Sequence, residues 1–174
     1  MRPAPEKGAP PNDKNCPVEP ADHGLGHSRG GWSTKAHVCV DQQGHIRSVV
    51  LTPGQAGENP QLLEVLRSAD VDVHVLLADK AYSHPSTRTA LEAMGITAVI
   101  PERSDQIERR HQAGDLAEFL PGFDPDIYKL RNVVERFFGR IKEFRAVATR
   151  YDKLAITFLA GITLAGIITW LRDI

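Results

Sequence analysis

Hydrophobic positions change their period several times along the 174 residues, and each change marks an element. From Lys35 to Val40 apolar and polar residues partly alternate, the period-two pattern of a strand. Asp41-Gln42-Gln43-Gly44 interrupts it as a turn. His45 to Leu51 then returns, which predicts a hairpin ended by Pro53-Gly54. Pro60 to about Ala69 reads as a helix, with Asn59 as candidate N-cap and Pro in the first turn. His74 to Ala78 is a short apolar run, the pattern of a strand buried on both faces. Pro85 to Met94 reads as a helix stopped by Gly95, and Thr97 to Ile100 as another buried strand. Pro101 to Pro125 is polar and irregular and reads as a surface loop. A charged helix is expected from Asp126 to about Arg145, and an uncharged apolar one from Ala155 to Leu171.

A hairpin followed by strands alternating with helices predicts an α/β fold, a mixed sheet covered by helices. Met1 to Asp22 carries many Pro and charged residues and no hydrophobic period. Residues 1–23 are therefore expected to form a linker or tail, and residues 24–174 a domain. The apolar segment Ala155 to Leu171 sits at the short end of the ~17–25 residues a membrane span needs, and it is read as a buried terminal helix. No membrane partner is expected. The N-terminus has no apolar signal-peptide core, and Cys16 and Cys39 suggest no disulfide framework, so a reducing cytoplasm fits.

The formal net charge of -1 carries no global signature of nucleic-acid binding. The distribution is uneven, however. Between Tyr128 and Lys153, eight basic residues, among them Arg136 and Arg140, face three acids. Such a basic region suits a polyanion partner, although a solvated helix face would look the same.

Two carboxylates stand out. Asp79 ends an apolar strand, and sites in open α/β sheets lie at the carboxyl ends of strands. It is a candidate metal ligand or, equally, a cap for the next turn. Glu135 lies in the charged helix with Tyr128, Arg131 and Lys142 at gaps of three, four and seven residues. On a helix these gaps return to nearly one face. An intrahelical ion pair would explain Arg131 and Glu135 but not the alignment of Tyr128 and Lys142. An acid flanked by phosphate-binding groups is what metal-assisted phosphoryl transfer requires. The seven His residues show no spacing for a structural zinc site.

Tyr128, Arg131, Glu135 and Lys142 stand at the spacing of the Tyr-Arg-Glu-Lys signature of bacterial insertion-sequence DDE transposases, and the chain resembles that family. The stretches Gly26 to Lys35, Leu51 to Ala56, Ala78-Asp79-Lys80-Ala81-Tyr82, Ala98 to Pro101 and Arg150-Tyr151-Asp152-Lys153 look like the same family, in order, from about Gly24 to the end. The resemblance implies a ribonuclease H-like mixed sheet flanked by helices. It implies metal-dependent phosphodiester cleavage and strand transfer at transposon ends, with two Mg²⁺ ions held by two strand acids and one helical Glu. By motif position Asp79 is the second acid and Glu135 the third, both catalytic and metal-binding. Tyr128, Arg131 and Lys142, with Arg136 and Arg140, would hold DNA.

The family's first acid lies on a first strand that precedes the Gly-rich stretch. Asp13, Asp22 and Asp41 do not match it. The chain is therefore expected to lack that strand, to be inactive alone, and to be half of a product completed by an upstream frame, a remnant, or a chain that takes the strand from a separate one. The alternative is a non-catalytic DNA binder that inhibits intact transposase. The partners so implied are transposon ends and target DNA, an upstream-frame product or intact transposase, and further copies of the chain.

Overall fold

A computed structural model describes residues 21–174. The expectation for the N-terminal tail lies almost wholly outside the described residues. Three strands form an antiparallel sheet in the order β1 (Gly26–Ser28), β2 (Gly31–Val40), β3 (Ile46–Pro53). The hairpin is the predicted one. Its register runs from Thr34↔Pro53 to Cys39↔Ser48, then shifts at Cys39/Val40 so that Val40 faces Ile46. Its turn closes through Asp41, whose amide donates to the His45 carbonyl at 3.0 Å and whose Oδ1 accepts from the His45 amide at 2.9 Å. Gly44 takes φ +88 there, a conformation that suits glycine.

A second, parallel sheet pairs β4 (Val75–Leu77) with β5 (Thr97–Val99) in the register Val75↔Thr97. Among the described residues no ladder joins the two sheets. The helices are α1 (Leu62–Arg67), α2 (Pro85–Ala93), α3 (Ser104–Gln112), α4 (Pro125–Lys129), α5 (Asn132–Ile141), α6 (Arg145–Ala148) and α7 (Ala155–Leu171).

Each sheet has its own core. Leu62 and Leu66 of α1 and Leu91 of α2 pack with Ala78, Ile96 and Ile100 around the parallel pair. Phe137 and Ile141 of α5 and Phe158, Ile162 and Ala165 of α7 pack on Ala36, Val38, Val40, Ile46, Val49 and Leu51 of the hairpin. The other hairpin face buries polar groups. His37, Ser48 and Thr52 lie there, and Ser48 Oγ donates to the Val65 carbonyl of α1 at 2.6 Å. Cys39 and Val50 share this second face, which is why the alternation in the sequence is only partial.

Several expectations are corrected. The stretch 101–125 contains a helix, α3, held by the Arg110–Glu102 ion pair at 3.0 Å and by Gln106 bonding to Ser83. The single charged helix is three. Around Leu130 and Arg131 the backbone tightens to i→i+3 bonds, and after Ile141 the extended Phe144 drops its ring into the core. Asn59 is not a cap; it lies in a short 3-10 turn (Asn59–Gln61), and its Oδ1 accepts from Thr87 Oγ1 at 2.9 Å. β4 is not buried on both faces: Leu76 and Ala78 reach the core while Val75 is 48% exposed.

The terminal helix α7 is buried on one side only. Ile156, Leu164 and Leu171 are 68%, 59% and 64% exposed, because its neighbours β3, α5 and α6 leave the other side open. No helix among the described residues is long and apolar enough to cross a membrane. Arg150 ties α7's entry to the start of the described chain: it donates to the carbonyls of His23 at 2.6 Å and Lys153 at 3.0 Å, and to Thr34 Oγ1.

Two glycines of α7 make opposite predictions. A Cβ on Gly166 would sit 2.6 Å from Ile46 Cγ2, whereas one on Gly161 would meet nothing within 4 Å. Gly166→Ala should cost about 1–3 kcal/mol through overpacking. Gly161→Ala should stabilise by up to ~1 kcal/mol through helix propensity. Urea unfolding of the two variants checks both signs.

Candidate functional site

Asp79 lies just beyond β4, separated from Leu77 by Ala78. Its extended backbone and carboxylate cap the 3-10 turn Lys80–Tyr82, with Oδ1 accepting from the Ala81 amide at 3.1 Å. The capping reading of Asp79 is thus satisfied by one oxygen. The other oxygen has a different partner: Oδ2 accepts from Arg131 Nη2 at 2.9 Å, across 52 positions of sequence. Nη1 of the same guanidinium donates to Glu135 Oε1 at 2.7 Å. One arginine therefore bridges the two predicted acids, the end of a strand and the first turn of a helix. Its own side chain is 19% exposed, whereas those of Asp79 and Glu135 are 46% and 61% exposed.

Tyr128 joins this group from α4. Its ring lies 6.0 Å from the Arg131 guanidinium carbon and 5.6 Å from the Phe123 ring. Burial pushes the Tyr128 phenol up; Arg131 opposes that shift, while Asp79 and Glu135 add to it. The break between α4 and α5 does not scatter these residues. Arg131 N donates to Tyr128 O at 3.0 Å and Val134 N to Arg131 O at 2.9 Å, so the chain keeps winding through the break.

The remaining predicted residues lie further along. Lys142 is the exposed C-cap of α5. Arg136 and Arg140 line a pocket of about 310 Å³ with Gln43, Gly44, Val133 and Phe137. Arg140 is already engaged, donating to Asp173 at 2.6 Å. Among the described residues no group of three or more His, Cys, Asp or Glu side chains is placed to hold a metal ion. Asp79 and Glu135 contribute hard oxygen donors that already share one cation, which fits a divalent ion such as Mg²⁺ but supplies only part of its shell.

Sequence reasoning missed the supports behind Asp79. His37 is 4% exposed, with Nδ1 3.0 Å from Tyr82 Oη and Nε2 2.9 Å from Thr52 Oγ1. Gln106 of α3 accepts from Ser83 Oγ at 2.8 Å and donates to its carbonyl at 2.9 Å. Burial pushes the His37 imidazole down and the Tyr82 phenol up to about 12. A His on the strand face opposite Val38, in a hairpin with Thr52, was the available signal.

A family model described as a transposase DDE domain matches residues 9–170. A Brucella ovis protein, whose name gives it as a transposase for insertion sequence element IS6501, is 31% identical over 144 residues, spanning 80% of this chain and 99% of that protein. No solved structure matches the chain.

Arg131→Ala should leave two neighbouring carboxylates without their shared counter-ion. Divalent-cation affinity should then rise several-fold, as read by titration calorimetry with Mn²⁺. Unchanged affinity would place any cation elsewhere.

Proposed function

Because the chain belongs to the transposase DDE domain family and its function lies in transposition, we propose that it is catalytic machinery of an insertion-sequence transposase of the Tyr-Arg-Glu-Lys signature group. Its reaction is phosphodiester cleavage and strand transfer at transposon ends. The observation that carries this reading is the Arg131 bridge, which brings Asp79 and Glu135 to one place from distant parts of the chain. Asp79 and Glu135 are the metal ligands and catalytic carboxylates. Bound Mg²⁺ supplies a Lewis acid and an activated oxygen nucleophile. Arg131 leaves the carboxylates to hold a phosphate through its planar fork, and Lys142 adds a point charge further along α5. Tyr128 positions the DNA terminus beside them. Arg136 adds backbone contacts, as Arg140 does once it gives up Asp173.

The domain we infer is ribonuclease H-like, with residues 24–174 as its catalytic part and the first strand missing from the described sheets. Two open edges support this. β2 pairs with β3 over Thr34–Val40 and with β1 over Gly31–Ser33, so no described strand pairs its second edge over Thr34–Val40. β4 pairs with β5 alone among the described residues. One extended segment between β2 and β4 would satisfy both edges and could bring the third carboxylate. Without it the chain binds DNA without cutting, which is also the behaviour of a transposase-inhibiting remnant. The exposed cations and the pairing of both acids to Arg131 favour that second reading for the chain by itself.

The test uses labelled DNA carrying the element's ends, with Mg²⁺. The chain alone should bind with an affinity that falls steeply with salt, and should not cut. Supplied with a segment bearing the acidic strand, it should cut, and Glu135→Ala or Asp79→Ala should each reduce cleavage by on the order of a thousandfold or more, because each removes a ligand of the metal. Cleavage that survives Glu135→Ala sinks the assignment.

A further inference from the structure

We propose that His37 is a positioning residue for Asp79, acting through the Tyr82 hydroxyl; the proposal rests on the reading of Asp79 as a metal ligand. Asp79 lies two residues beyond a strand of only three residues, β4, that forms no ladder with the hairpin sheet among the described residues. A strand so short and paired on one edge does little to hold a side chain just beyond its end. The turn that follows needs other supports, and it has two. α3 grips Ser83 through both ends of the Gln106 amide. The hairpin grips Tyr82 through His37.

The geometry of His37 suits this task. Its two ring nitrogens point to two hydroxyls on different elements, Tyr82 Oη beyond β4 and Thr52 Oγ1 on β3. Each hydroxyl can donate or accept, so either neutral tautomer satisfies all three groups. Burial favours that neutral form; Glu58 and Glu64 oppose the shift and Lys35 reinforces it. Lys35 is itself held by Glu58 at 2.5 Å and by the Ala56 carbonyl at 2.7 Å. Tyr82 in turn closes the capped turn, its amide donating to the Asp79 carbonyl at 2.9 Å. The run is continuous: hairpin, imidazole, phenol, turn, carboxylate.

The Ala81 amide, which donates to Asp79 Oδ1, reports directly on whether that carboxylate is held. Its hydrogen exchange is measured by NMR on the full chain, without metal or DNA. Tyr82→Phe, which removes one oxygen, should speed exchange at Ala81 roughly tenfold, the scale of one lost buried hydrogen bond, and leave the β2 and β3 amides unchanged. Two substitutions at His37 separate positioning from packing. The terminal atom of Asn overlays Nδ1 and that of Gln overlays Nε2. His37→Asn should keep the Tyr82 contact and the Ala81 protection. His37→Gln should keep Thr52 and lose that protection.

Unchanged exchange at Ala81 in Tyr82→Phe overturns the proposal. So does equal acceleration over the whole hairpin in both His37 variants. Mn²⁺ titration of the same proteins separates this proposal from the metal reading. Affinity should fall several-fold in His37→Gln and hold in His37→Asn. If the wild-type chain with its acidic strand supplied binds no cation, the metal reading fails while the exchange result still decides whether His37 positions Asp79.

Discussion

The guanidinium of Arg131 is the interaction on which the arrangement of the site depends. Two acids near each other repel, and neither the short strand before Asp79 nor the single turn before Glu135 fixes their separation. A planar cation with donors on two prongs does so, donating to one carboxylate from each. It also fastens the parallel sheet, through Asp79, to the helix that covers the antiparallel one. Because both acids are about half exposed, this bridge contributes more to geometry than to stability.

That fastening matters because the fold is built in two parts. The hairpin carries one core with α5 and α7, and the parallel pair carries another with α1 and α2. Where the two parts meet, the contacts are polar and specific. Ser48 reaches α1, His37 reaches Tyr82, and Arg131 reaches Asp79. Buried hydroxyls and an imidazole are tolerated there because each finds a partner. Such contacts set register and distance between two apolar units in a way that hydrophobic packing, which has no direction, does not.

How much of this was legible in the sequence depended on the range of the contact. The hairpin turn at Asp41–Gly44 and the apolar runs before Asp79 and Pro101 are local signals, and they locate four of the five strands among the described residues. α3 was hidden because it has no apolar face; its stability comes from Glu102 and Ser83, which lie outside it. The break at Leu130 was hidden because neither Gly nor Pro marks it. The meeting of Asp79 with Glu135 was suggested by family resemblance, since no periodicity connects residues on a strand end and a distant helix. His37 passed as one polar residue in a strand, because its importance lies in Tyr82, far along the chain.

The late place of α7 in the chain has a consequence for how the protein is made. The hairpin leaves the ribosome early, and the helix that covers its apolar face follows roughly a hundred residues later. At ~5–20 residues per second that interval is about 5–20 s. Through it Val38, Val49 and Leu51 have no cover from α7, and contacts so distant in sequence form slowly. A premature stop between Lys142 and Phe158 would leave a nascent chain whose sheets are finished and whose lid never arrives. Such products are natural clients for chaperones and proteases, so a message damaged near its 3′ end would yield little protein even with every residue of the proposed site encoded.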